Sequence, residues 1–249
     1  WVAACWLMLS VVRADVVLVP VGSVWRYLDN GSDPGTAWRA AGFDDSAWSA
    51  GPAPLGYGDG DEATTVGFGP NASAKYITTY FRTRFPVADL SAITGLGLRV
   101  LRDDGVAVYL NGTEVFRNNL PTGTLSSTTL ARTAISGAEE STAFVSVAVD
   151  AARLVPGNNV LAVEIHQRSA TSSDISFDLQ LTGVTPGLPQ VVRGPYLQQP
   201  TPDGMIVRWR TSVPTDSRVR FGSTAALLDQ EGVVAGLRTE HAVSLNGLT

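Results

Sequence analysis

Asp103-Asp104-Gly105-Val106-Ala107-Val108-Tyr109-Leu110-Asn111-Gly112-Thr113-Glu114-Val115-Phe116 is the stretch on which the fold turns. Two strand-like runs rich in valine and aromatics flank Asn111-Gly112. Asn and Gly tolerate positive φ at both central positions of a type I′ turn, so the stretch predicts a two-residue hairpin. The same period-two alternation extends outward. Leu96, Leu98 and Val100 form one set; Val145, Val147 and Val149 another. Leu161, Val163 and Ile165 alternate with Ala162, Glu164 and His166, and Ile175, Phe177, Leu179 and Leu181 with Ser176, Asp178, Gln180 and Thr182. Each set predicts a strand with one face on a core and the other toward water or a second layer. Pro156-Gly157-Asn158-Asn159 punctuates one such strand on its N-terminal side. Helical spacing is nearly absent: 87–93, 150–154 and 224–228 leave room for short helical turns only.

Composition agrees with an all-β chain. Of 249 residues, 44% are hydrophobic and 16% charged, with 25 Gly and 14 Pro, which suits short strands joined by turns. A net charge of −5 gives no footprint for nucleic acid. Two histidines, His166 and His241, and one cysteine, Cys5, exclude most metal-centred and thiol chemistry. Gly183-Val184-Thr185-Pro186-Gly187-Leu188-Pro189 reads as a linker, placed at 185–189, between a first block (15–184) and a second (190–249).

Residues 1–14 read as part of a signal peptide: an apolar run, Trp1 to Val12, then Val12-Arg13-Ala14. Alternatives are a buried first strand, or a lipoprotein-like Val2-Ala3-Ala4-Cys5. The run is too short to span a bilayer, which needs about 20 residues. The expectation is a bacterial protein, secreted to the exterior or periplasm, with no membrane span. One Lys against 17 Arg points the same way. The three Asn-x-Ser/Thr matches, at Asn30, Asn71 and Asn111, read as turns.

The first block carries Trp25-Arg26-Tyr27-Leu28-Asp29, Phe43-Asp44-Asp45-Ser46-Ala47-Trp48, the Asn-Gly hairpin and Gly157-Asn158-Asn159-Val160-Leu161-Ala162-Val163-Glu164, in that order. It resembles the galactose-binding-like jelly roll attached to many secreted bacterial hydrolases. The resemblance implies a noncatalytic β-sandwich with glycans as partners. A sugar has an apolar face and a rim of hydroxyls, so Trp38, Trp48, Tyr57 and Tyr109 are candidate platforms; tryptophans packing the ends of the sandwich are the alternative. For His166 the expectation is a satisfied surface or interlayer histidine. Asp59-Gly60-Asp61-Glu62 and Asp103-Asp104 are candidate calcium ligands, because hard cations take several oxygens; solvated acidic turns are the alternative. Asp103-Asp104 also resembles the aspartate pair of PA14-type modules, which use calcium in sugar binding.

The second block contains Arg193-Gly194-Pro195-Tyr196-Leu197-Gln198, Val207-Arg208-Trp209-Arg210-Thr211 and His241-Ala242-Val243-Ser244-Leu245-Asn246-Gly247-Leu248. It resembles the N-terminal fibronectin type III-like domain of purple acid phosphatase-type metallophosphoesterases. Val207 and Trp209 should face inward, Arg208 and Arg210 outward. A sandwich of that type needs about 100 residues, so the block is expected to be cut short, with edges unpaired. The resemblance implies a dinuclear metal centre, and a catalytic domain as partner, beyond residue 249. The chain itself has no Gly-Asn-His or Gly-His-x-His motif, no Gly-x-Ser-x-Gly elbow and no phosphate-binding loop. The expectation is therefore the noncatalytic N-terminal region of a secreted metallophosphoesterase, whose first domain binds carbohydrate or positions the enzyme. The alternative is a carbohydrate-binding or adhesive extracellular module without phosphatase activity.

Overall fold

A computed structural model of the chain describes residues 15–185, 190–224 and 227–248. The expectations for the signal peptide and Cys5 (1–14), and for most of the linker (186–189), lie outside the described residues. The chain divides into two compact units, residues 15–185 and 190–248 of those described.

The strands, in chain order, are β1 (Val16–Val19), β2 (Val24–Leu28), β3 (Ser49–Pro52), β4 (Leu55–Tyr57), β5 (Thr64–Thr65), β6 (Thr78–Val87), β7 (Gly95–Asp103), β8 (Gly105–Leu110), β9 (Thr113–Asn118), β10 (Val145–Val149), β11 (Gly157–His166), β12 (Ile175–Val184), β13 (Val191–Thr201), β14 (Gly204–Phe221) and β15 (Gln230–Asn246). Among the described residues, helical structure is one four-residue α-helix, α1 (Ala138–Ser141), and three single 3-10 turns. Two of those turns, Leu90–Ala92 and Ala151–Arg153, fall where short helical turns were expected, each started by an aspartate (Asp89, Asp150) that accepts a backbone N–H two residues on.

The first unit is a two-sheet sandwich. One sheet runs β10-β7-β12-β4-β5, with β1 also on β12; the other runs β3-β2-β6-β11-β8-β9. All pairs are antiparallel except β4 with β5. Inner faces share one core, with Trp25 and Phe81 of the second sheet meeting Phe177 of the first at ring distances of 4.9 and 4.4 Å. The alternating sets of the sequence supply this core: Leu96, Leu98 and Val100 beside Phe177, Leu179 and Leu181.

The hairpin forms as expected. Asn111 and Gly112 sit at φ of 52° and 87°, and Leu110 faces Thr113 across the turn. Asn111 then reaches further: its Nδ2 donates to Arg153 O and to Asn159 Oδ1, and its Oδ1 accepts from Val160 N. Asn159 is fully buried and closes its own turn, accepting from Val155 N and donating to Val155 O and Gly157 O. The two Asn motifs of the sequence thus lock one end of β8 to β11.

The outer face of the second sheet departs from simple alternation. Ala162, Glu164 and His166 of β11 are buried, not wet. Segments 29–48 and 119–135 lie over this face and build a second apolar cluster, with Trp38, Trp48, Leu120 and Leu125 on Tyr80, Ala107, Tyr109 and Ala162. A sheet covered on both faces buries its polar residues as well, and these must then find partners.

The second unit, among the described residues, is one antiparallel sheet, β13-β14-β15. Val207, Trp209, Val219, Phe221, Val243 and Leu245 form its apolar side, while Arg208 and Arg210 are exposed, as expected. β13 is mostly exposed, with Leu197 at 59%.

Candidate functional site

The four candidate sugar platforms are core residues. Trp38 is fully buried, and Trp48, Tyr57 and Tyr109 retain 9, 7 and 3% of their surface. Trp38 sits edge-on to Tyr80 and Tyr109 at 4.9 and 5.8 Å. Tyr57 stands apart from these, in the sandwich core against Phe68, its Oη accepting from Gln167 Nε2. A stacking platform needs an open ring face, and burial of this degree leaves none. Large aromatics gain more by covering a sheet than by waiting in water.

Two clusters of acids remain, built on opposite principles. The first lies on the covered face of the second sheet. Glu164, 1% exposed, accepts from Tyr109 Oη at 2.6 Å and Arg39 Nη2 at 3.1 Å, and its other oxygen lies 3.3 Å from His166 Nε2. Burial alone pushes Glu164 up, but His166, Tyr109 and Arg39 outweigh it and hold the carboxyl below its usual range. His166 Nδ1 lies 2.8 Å from Thr129 O and 3.0 Å from Thr78 Oγ1, which satisfies it between layers. Nearby, Asp45 is gripped by Arg82 at 2.8 Å and Arg84 at 2.7 Å. Arg82 is fully buried and also donates to Trp38 O and Ala40 O. Burial pushes Asp45 up; the two guanidiniums hold it below its usual range.

Above Glu164 the covering segments leave a cavity of about 200 Å³, lined by Asp33, Thr36, Arg39, Tyr80, Ser127 and Glu164 among others. Ser127 Oγ donates to Asp33 Oδ2 at 3.2 Å across the two segments. The cavity offers hydroxyls, a carboxylate and a guanidinium to a small polar ligand. Sequence reasoning missed it, because the residues come from four separate stretches.

The second cluster gathers at one end of the first sheet, and it holds the acidic candidates. Asp59, Glu140 and Asp174 place carboxylate oxygens within 4.8 Å of one another, as do Asp59, Asp61 and Glu62. Glu62 is spent on its own turn: its two oxygens accept from Asp59 N at 2.9 Å and Gly60 N at 3.0 Å. Asp59 Oδ2 accepts from Ser176 Oγ at 2.8 Å. Asp103 and Asp104 are not a solvated turn, being 1 and 2% exposed. Asp104 clamps two loops, its oxygens accepting from Ile135 N at 2.7 Å and Arg168 N at 2.6 Å. Asp103 has no donor on either oxygen. Burial first, then a side-chain hydrogen bond with Asp104 and its charge, then Asp174 and Glu140, push its carboxyl up to about 10. Asp59 and Glu140 are also raised, by burial first and by Asp174 among the neighbouring charges. Of these residues the spacing of the sequence identified Asp59, Asp61, Glu62, Asp103 and Asp104; Glu140 and Asp174 carry no local signal.

His241 of the second unit is a packing residue. It stacks on Trp209 at 4.6 Å and 4°, with Nδ1 at 2.9 Å from Ser217 Oγ and Nε2 at 2.9 Å from Thr211 Oγ1. Burial, then Arg238, lowers its pKa.

No family model matches the chain, and no curated protein matches it. Among solved structures it is similar to β-glucuronidase from Ruminococcus gnavus in complex with D-glucuronic acid, at 13% identity and a TM-score of 0.43, covering 98% of this chain and 41% of that one. The same enzyme in complex with D-glucaro 1,5-lactone gives 14%, 0.44, 98% and 41%. The chain thus spans about two fifths of the length of these structures. No described helix is long and apolar enough to cross a membrane.

Proposed function

We propose that this chain is the noncatalytic N-terminal region of a secreted bacterial metallophosphoesterase. Phosphate-ester hydrolysis would belong to a metal-dependent domain beyond residue 249, and the first unit would bind carbohydrate or position the enzyme. One observation carries the reading. The three motif segments that resemble the phosphatase-type fibronectin domain fall on neighbouring strands. Tyr196 of β13 pairs with Arg208 of β14, and Trp209 of β14 with His241 of β15. Both histidines of the chain are taken up by hydroxyl, carbonyl, carboxylate or ring contacts. A dinuclear centre would have to take its ligands from elsewhere.

The test is the gene product that continues past Thr249. It should carry an Asp-x-His, Gly-Asp-x-x-Asp and Gly-Asn-His series, and hydrolyse a chromogenic phosphate monoester in a chelator-sensitive way. Lack of that series would sink the reading.

The cavity over Glu164 favours a second reading, a carbohydrate-binding module without phosphatase activity. Glycan-array binding by the full chain, lost in Arg39→Ala, supports it; no glycan bound by the intact chain rejects it.

A further inference from the structure

We propose that Asp59, Glu140 and Asp174, backed by the buried carboxylate of Asp103, form a calcium site joining the loop after β4, helix α1 and the start of β12. The inference rests on residues of the first unit alone and is independent of the proposed function.

Three carboxylates from segments 81 and 34 residues apart in sequence converge within 4.8 Å. Like charges this close repel one another, and the repulsion grows where the site is partly buried. Other buried acids of this unit are answered from within the chain: Asp45 by Arg82 and Arg84, Glu164 by Arg39, and Asp104 and Asp178 by backbone N–H groups. Asp59, Glu140, Asp174 and Asp103 enter no ion pair among the described residues. The one lysine of the chain, Lys75, donates to the carbonyls of Ser172 and Ser173.

Asp103 is the independent observation. Its two oxygens are buried acceptors with no donor. It lies directly opposite Ser176 in the β7–β12 register, so both side chains project from the same face of the sheet. Ser176 Oγ binds Asp59, which places that face against the acidic cluster. Gln167 Oε1, whose amide donates to Tyr57, is a further buried acceptor without a donor. A proton shared with Asp104 answers Asp103 alone. It leaves Asp59, Glu140 and Asp174 facing one another, and a cation would answer all of them.

The donor set selects the ion. All candidates are oxygens, and neither histidine is part of the cluster. That excludes a preference for zinc or copper. Loop-borne carboxylates with room for carbonyls and water suit the six to eight ligands of Ca²⁺ better than the rigid octahedron of Mg²⁺. The hydrogen bonds already present leave oxygens over: Glu140 Oε1 caps Gly137 N, and Asp174 Oδ2 accepts from Ser173 Oγ, so each has a second oxygen to offer.

The experiment uses the full chain, first stripped with EGTA. Calcium should raise the melting temperature, and Tb³⁺ should bind with luminescence excited through Tyr57 and be displaced by Ca²⁺. Asp59→Asn, at an exposed position, and Asp174→Asn should each weaken binding at least tenfold. Glu62→Gln should bind as the wild type does. Metal-free Asp174→Asn should be at least as stable as the metal-free wild type, since a repulsive charge is gone. Four results would overturn the proposal: no calcium shift, a shift unchanged in both Asn variants, an equal shift with Mg²⁺, or a metal-free Asp174→Asn protein less stable than wild type.

Discussion

Acids on the two sheets of the first unit are treated in opposite ways. On the covered face of the second sheet, Asp45 and Glu164 are bound by guanidiniums, and both carboxyls lie below their usual range. At the end of the first sheet, Asp103, Asp59 and Glu140 have no cationic partner, and all three lie above it. Among the described residues, several arginines pair with the first cluster and none forms an ion pair with Asp59, Glu140, Asp174 or Asp103. An acid answered from within the chain stabilises the fold by itself. An acid left unanswered costs stability until something from outside arrives.

The largest test breaks the internal pairing. Arg82→Met removes a fully buried guanidinium that serves Asp45 and two carbonyls. Urea unfolding should show a loss of about 3–5 kcal/mol, the cost of leaving a buried charge short of its partner. Glu164→Gln should cost about 2–3 kcal/mol by the same measurement, because Arg39 and His166 lose their carboxylate. Neither change should alter a calcium shift.

The next test sets the two clusters against each other by pH. Asp45 and Glu164 are depressed in the folded state, so their contribution is present above the ordinary carboxylate range and is lost as pH falls through their lowered values. Asp103 is raised, so its contribution is fully present below its ordinary value of 3.8 and is lost as pH rises toward the elevated one. In EGTA, Asp103→Asn should therefore be more stable than wild type at neutral pH, and the advantage should vanish near pH 4. Thermal melts across pH 4–8 read both slopes. Equal stability of the two proteins throughout would show that Asp103 has a partner after all.

The smallest effect is expected at the surface. Arg218 and Glu231 pair at 2.8 Å on exposed strands of the second unit. Glu231→Gln should leave the melting temperature unchanged, since water and salt screen such a pair. The contrast with Arg82→Met then isolates burial as the variable.

Much of the fold was legible. Alternation marked β7, β10, β11 and β12, and Asn111-Gly112 marked the hairpin, because strand period and turn φ are local properties of residue types. The second layer was not legible. Nothing in Val160 to His166 says that segments 29–48 and 119–135 will cover its polar face, so Trp38, Trp48 and Tyr109 stand as candidate platforms with core packing as the alternative for the tryptophans, and the structure takes the packing role for all three. Tyr57 was misread for the same reason, from the other side of the sandwich. The acidic site was half legible: adjacent carboxylates in 59–62 and 103–104 could be seen, whereas Glu140 and Asp174 join only through space.

The sequence by itself determined the all-β class, the hairpin, the inward rows of both units and the poverty in histidine and cysteine. These follow from period, turn chemistry and counting, which need no knowledge of distant neighbours. Tertiary structure alone decided which acids are answered and which are not. The charge state of a carboxylate depends on burial and on what lies within a few ångströms, and those neighbours come from anywhere along the chain.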